Sequence, residues 1–256
     1  MNVCRDWLLT MPVKSSEQNL RRIVLACDTT QGACSVALWQ NGKTEEILQP
    51  MQKGHAEALL PMLETLLSEA EKAGTAREAV THLAVTNGPG TFTGVRVGLS
   101  AMRGLALALD LPLKTYGTLD VMAAGALAHK KPSDPLIVAV DAKRATFYAQ
   151  GFAPDGAALA PPAALSGGDV VALAKSISDK KNDKEVALCG SGAAMLVDKW
   201  AGFYVTDAPM FPSAAQLAGI AAHDVDWGDL ASVEPVYLRP PDATLPDPNK
   251  RIKWRT

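Results

Sequence analysis

Apolar and polar positions alternate between short continuous runs and turn residues through the first half of the chain. Residues 22–28 (RIVLACD) are an apolar run ending in an acid, which predicts a buried strand closed by Asp28. Thr29, Thr30, Gln31 and Gly32 carry turn chemistry. A second strand is expected over 33–39. Asn41-Gly42 is a hairpin turn pair, and 43–48 completes a three-stranded meander. From 55 to 72 the period changes. Ala56, Leu59, Leu60, Leu63, Leu66, Leu67 and Ala70 recur three and four apart, the mark of a helix, and Gly74 stops it. A strand over 81–86, a Gly-rich loop over 87–94, a helix over 95–109 and a strand over 112–116 follow. This β-β-β-α-β-α-β order predicts an α/β fold with a mixed sheet.

The second half repeats the theme loosely. A helix over 119–129 precedes an apolar strand over 136–141 that again ends in an acid, Asp141. Ala142-Lys143-Arg144 turns the chain into a hairpin partner over 146–152. Residues 153–168, rich in Pro, Ala and Gly, read as loop. A strand over 185–189 runs into Gly190-Ser191-Gly192 and a helix that ends near Trp200; a further helix spans 213–223. The expected division is an N-terminal lobe over 21–117 and a C-terminal lobe over 118–239. Residues 1–20 read as an unstructured extension, with Met11 an alternative start, and 240–256 as a mobile basic tail.

Composition narrows the function classes. The 256 residues carry 25 Lys and Arg against 27 Asp and Glu, a net charge of −2. That balance argues against wide, solitary nucleic-acid binding, which needs a basic surplus to neutralise phosphates. The hydrophobic share of 48% excludes wholesale disorder. Cys4, Cys27, Cys34 and Cys189 form no C-x-x-C pair, and a reducing compartment is expected. The first twenty residues hold no apolar stretch of signal-peptide length, and no run of 18 apolar residues occurs. A cytoplasmic protein without a membrane span is therefore expected. His55, His82, His129 and His223 are scattered outside any H-E-x-x-H pattern, and no serine lies in a G-x-S-x-G context.

Three features carry candidate chemistry. Two strand-Asp-hairpin units, at Asp28 and Asp141, have the form of a clasp for a nucleotide phosphate and its metal; the plainer alternative is an Asp that caps a turn. The loop 88–94 joins a strand to a helix start, an anion-binding geometry, but it matches neither G-x-x-x-x-G-K-[ST] nor G-x-G-x-x-G. Its plainer alternative is a tight turn with Thr93 as the helix cap. Gly94, Gly98, Ala101, Gly104 and Ala108 form a small-residue strip. Each glycine costs about 1 kcal/mol against alanine in a helix, so close approach of another backbone is expected. The candidates are the sheet beneath or another helix, of this chain or a second one.

Several of these segments resemble the TsaB (YeaZ) family: IVLACDTTQGACSVAL, HAEALLPML, VDAKRATFY, PVYLR and, most specifically, NGPGTFTGVRVGLSAMRG. The resemblance spans about residues 22–240. It implies a two-lobed actin/Hsp70/sugar-kinase-like (ribonuclease H-like) fold, each lobe a mixed β-sheet with flanking helices. It also implies a non-catalytic accessory subunit of the tRNA N6-threonylcarbamoyladenosine synthase. The implied partners are the catalytic TsaD subunit and the ATPase TsaE, with a homodimer when the chain is alone and tRNA reached only through the complex. The implied partner-binding residues are Leu59, Leu63, Leu66, Val95, Gly98, Ala101, Met102 and Leu105, with Arg96 and Arg103 able to pair with carboxylates across the seam. The metal-binding H-x-x-x-H of TsaD falls here on Thr118 and Met122, which cannot replace imidazole as iron or zinc ligands. The resemblance therefore implies a silent paralogue with no resident metal. Asp28, Gly32, Asp141, Gly190, Ser191 and Gly192 match superfamily phosphate and adenosine positions, candidates for ATP or ADP with magnesium at the complex interface. Cys27 stands where the family more often has Ile or Val. The competing expectation is an ATPase or phosphotransferase of the same superfold using Asp28 and Asp141; a metallopeptidase lacks its ligands.

Overall fold

A computed structural model describes residues 22–131, 133–178, 185–227 and 230–239. The expected extension 1–20 and basic tail 240–256 lie outside the described residues.

Two five-stranded sheets organise the chain. The first contains β1 (Ile23–Asp28), β2 (Ala33–Gln40), β3 (Lys43–Pro50), β4 (His82–Thr86) and β5 (Leu113–Tyr116), in the order β3-β2-β1-β4-β5. β1 pairs antiparallel with β2 and parallel with β4. The second contains β6 (Leu136–Asp141), β7 (Thr146–Phe152), β8 (Ala163–Ser166), β9 (Val186–Cys189) and β10 (Phe203–Val205), in the order β10-β9-β6-β7-β8. Read from the other edge this is the same arrangement. β6 again pairs antiparallel with its hairpin partner β7 and parallel with β9. The duplicated mixed sheet with flanking helices is the two-lobed actin/Hsp70/sugar-kinase-like architecture that the family resemblance implies.

The helices are α1 (His55–Lys72), α2 (Phe92–Leu109), α3 (Thr118–Ala126), α4 (Gly167–Ile177), α5 (Ala193–Leu196) and α6 (Ala214–His223). β1 is buried on both faces, and its period of two sorts its side chains. Leu25 and Cys27 pack with Leu59, Leu63 and Leu66 of α1 and Val95, Leu99 and Met102 of α2. Val24 and Ala26 face Leu217, Ala218 and Ala221 of α6. Thus α6, late in the chain, covers the first sheet. Its alanines let it seat closely, and Asp224 after its end accepts from Lys114 Nζ at 2.6 Å and Tyr116 Oη at 3.1 Å on β5. α2 is long and apolar enough to cross a membrane by length and composition; its inner face fills the first core. Cys27, Cys34 and Cys189 are buried free thiols. Burial pushes Cys34 up to about 11 and Cys189 up to about 12.

Two local expectations are corrected. Residues 153–168 are not all loop, because β8 and the start of α4 lie there. β8 is four residues paired to β7 (Thr146↔Ser166 through Ala149↔Ala163), a long-range contact too short to show a period. α4 opens with a reciprocal Ser166–Asp169 capping box. The cap of α2 is Thr91, not Thr93: Thr91 Oγ1 accepts from Gly94 N at 3.1 Å, so the helix begins three residues earlier, at Phe92.

Candidate functional site

The first-lobe helices present one face to their own core and another to solvent. Of the eight expected partner-binding residues, Leu59, Leu63, Leu66, Val95, Gly98 and Met102 are buried within this chain, and only Ala101 and Leu105 are partly exposed. Six of the eight are thus taken up by this chain's own core. The 3.6 period marks an apolar stripe, and the sheet of the same chain takes that stripe first. The residues left outside differ. Leu60 is 57%, Phe92 39% and Leu107 72% exposed. Between α1 and α2 a groove of about 520 Å³ is lined by Ala56, Leu60, Phe92, Arg96, Val97 and Ala101, with Leu59 at its floor.

The small-residue strip divides in the same way. A Cβ on Gly94 would lie 2.1 Å from Thr29 O, and one on Gly98 2.7 Å from Thr29 Oγ1. Thr29 Oγ1 in turn donates to Gly94 O at 2.6 Å. These glycines let α2 touch the loop after β1. Nothing would meet a Cβ on Gly104. The two arginines are engaged within the chain. Arg103 donates to Val233 O at 3.1 Å and Arg96 Nε to Tyr237 Oη at 2.9 Å. The Arg96 guanidinium also lies 3.6 Å from the centroid of the Phe92 ring.

Asp28 ends β1 inside the protein, 1% exposed. Its Oδ1 accepts from Thr30 N at 3.1 Å; its Oδ2 accepts from Thr30 Oγ1 at 2.8 Å and from Thr86 Oγ1. Burial pushes its carboxyl up to about 6, and the bonds from Thr86 and Thr30 hold it from going higher. Thr118 Oγ1 joins the cluster through Thr30 Oγ1 at 3.1 Å. Met122, one turn along α3, is buried and reaches Gly190. Thr118 and Met122 therefore fill space between the first sheet and the loop after β9.

Asp141 holds the matching place in the second lobe with the opposite environment. Lys143 bonds it twice, through Nζ at 2.7 Å and its backbone N–H at 2.8 Å, and holds its carboxyl below the usual range. The candidate nucleotide residues do not share one cavity. A Cβ on Gly32 would meet Phe211 at 2.8 Å, one on Gly190 Ala139 O at 2.5 Å, and one on Gly192 Phe147 at 2.7 Å. Ser191 Oγ accepts from the Asp141 backbone N–H at 3.1 Å. The three glycines thus make room for parts of this chain. With Asp28 sealed as well, the residues present do not form an open cradle for a nucleotide and magnesium at those positions. Among the described residues, no three His, Cys, Asp or Glu side chains are grouped to hold a metal ion.

Of that set, Asp141 lines the cavity that does lie between the lobes. This cavity, about 380 Å³, has Gln31, Thr91 and Phe92 on one side and Asp141, Lys143 and Tyr148 on the other; Val236, Tyr237 and Arg239 complete its wall. Sequence reasoning assigns no role to Phe92, Tyr237 or Arg239. The available signal was an aromatic residue inside the Gly-rich segment 87–94, and a Tyr and an Arg two apart near the end of the matched chain.

Comparison with known proteins places this geometry. The family model described as TsaD, tRNA N6-adenosine threonylcarbamoyltransferase, matches residues 49–199. The tRNA threonylcarbamoyladenosine biosynthesis protein TsaB of Escherichia coli (strain K12) is 38% identical over 125 residues, 49% of this chain and 52% of that one. The protein of the same name from Haemophilus influenzae is 37% identical over 131 residues, 51% and 53% of the two chains. The chain thus spans about half the length of these curated relatives. YeaZ from Pseudomonas aeruginosa superposes with a TM-score of 0.68 at 28% identity, over 85% of this chain and 100% of that one. By sequence match and by fold, the chain belongs to the TsaD-type family and, within it, to the TsaB (YeaZ) proteins.

Proposed function

We propose that this chain is a non-catalytic accessory subunit in the synthesis of N6-threonylcarbamoyladenosine in tRNA, acting in the cytoplasm. Its role is to dock the catalytic TsaD subunit on the α1–α2 face and hold it in an active arrangement. TsaE joins the pair, and a second copy of the chain takes the TsaD place when TsaD is absent. tRNA is reached through the complex, in keeping with a net charge of −2.

One observation carries this reading. Two adjacent helices bury one stripe in their own core and still offer an apolar groove to solvent, with Leu60 and Phe92 at its edge. An exposed apolar patch of this kind, rimmed by polar side chains, suits a partner protein. The lack of chemistry in this chain rests on different observations. Asp28 has its oxygens taken by threonines, and the family resemblance aligns Thr118 and Met122, which cannot replace imidazole, with the metal-binding histidines of TsaD.

Leu60→Asp tests the docking face. Leu60 lines the groove and is more than half exposed, so the variant should keep its unfolding free energy within the range of a surface change, about 0.5 kcal/mol, by urea unfolding. TsaD capture should weaken by at least about tenfold, the scale of burying an unpaired carboxylate at an interface. Undiminished capture by the folded variant would place the docking face elsewhere.

A further inference from the structure

The segment 233–239 belongs to neither sheet, yet it is bonded to both lobes. On the first lobe, Asn87 Nδ2 donates to Glu234 O at 3.0 Å and the Val236 N–H donates to Asn87 O at 2.8 Å. Arg103 of α2 holds Val233. At the other end Arg239 donates to Ala142 O at 3.0 Å, in the β6–β7 turn of the second lobe. Midway, the Tyr237 ring lies 5.3 Å from the Phe92 ring, and its hydroxyl accepts from Arg96. Phe92 and Arg96 line the α1–α2 groove; Phe92 and Tyr237 line the interlobe cavity. One aromatic–guanidinium stack is therefore a wall of both.

We propose that 233–239 is a latch between the lobes, and that Arg96 is the positioning residue through which occupation of the α1–α2 groove tightens it. The proposal rests on the docking reading given above. A partner seated in the groove excludes water from Arg96. Both of its contacts, the hydrogen bond to Tyr237 and the stack on Phe92, are stronger when desolvated. Tyr237 is then held, and with it the path from Asn87 to Ala142 that spans the cleft. Binding on one face of the first lobe thus narrows the freedom of the second lobe.

Amide hydrogen exchange on the full chain tests this. Tyr237→Phe removes the accepting hydroxyl and Arg96→Met removes the donor. Each should speed exchange in 233–239 by about fivefold, the scale of one hydrogen bond, with no change in β1 or β6. The double variant should show no further increase, because both lose the same contact. Saturating TsaD should slow exchange in α1, α2 and 233–239 of the unaltered chain, but only in α1 and α2 of Tyr237→Phe. The latch is overturned if Tyr237→Phe leaves 233–239 unchanged, if the two single effects add, or if TsaD protects α1 and α2 without 233–239. If TsaD protects neither helix, the docking reading fails instead, and the cycle on the free chain decides the latch.

Discussion

Asp28 and Asp141 show how the same residue at the same place in a repeat acquires opposite electrostatics. Their positions at strand ends are legible in the sequence as two apolar runs closed by an acid. Their surroundings are not, because Thr86 and Lys143 reach them from different distances along the chain. For Asp28 the carboxyl rises from its ordinary 3.8 to about 6 in the fold. The folded state therefore keeps a proton that the unfolded chain has already lost between those two values. Its stabilising contribution is complete below about pH 4 and disappears as the pH rises through about 6. Asp28→Asn cannot make this transition. The stability difference between the unaltered chain and Asp28→Asn, from urea midpoints, should fall by about 2 to 3 kcal/mol between pH 4 and pH 7. Parallel pH profiles for the two proteins would mean that Asp28 is solvated or charged in the fold.

At the scale of elements, periodicity located α1 to the residue and α2 to within three residues at its start. What it left open is which of two apolar neighbours a stripe serves. Gly94 and Gly98 look identical to Gly104 in a strip of small residues. Only the positions of Thr29 and Val85, on other elements, separate them. The separation is measurable. Gly94→Ala places a methyl group on the Thr29 carbonyl and should cost about 1–3 kcal/mol. Gly104→Ala meets nothing and should gain about 0.5–1 kcal/mol from helix propensity. Equal effects from the two, read by urea unfolding, would contradict the packing described for α2. The same reasoning moves the docking prediction off Gly98. A bulky charged side chain there would break the contact with β1 before any partner was tested.

On the scale of the whole molecule, the duplication was legible as a repeated strand-acid-hairpin pattern, and the two sheets carry it out with the same strand order. β8, β10 and the placement of α6 were not legible. β8 and β10 are four and three residues long, and α6 crosses to the first sheet through contacts such as Ala214 N with Ser35 Oγ, 179 positions apart. Pattern within a short window cannot report such pairings. The segment 233–239 belongs to the same class: its role arises only where it meets Asn87, Arg96 and Ala142. For the site, the two helices and their apolar stripe were legible; which of those side chains this chain's own core takes was not, because it depends on where the first sheet lies against them.

The central claim is that this chain supports tRNA threonylcarbamoylation by docking TsaD on the outer face of α1 and α2. Its most direct test is a reconstituted modification assay with TsaD, TsaE, threonylcarbamoyl-adenylate and tRNA. The assay is run without this chain, with it, and with Leu60→Asp at matched concentration. Modification is expected only with the unaltered chain, and a loss with Leu60→Asp that excess variant partly restores. Equal modification without the chain, or undiminished modification with Leu60→Asp, would contradict the claim.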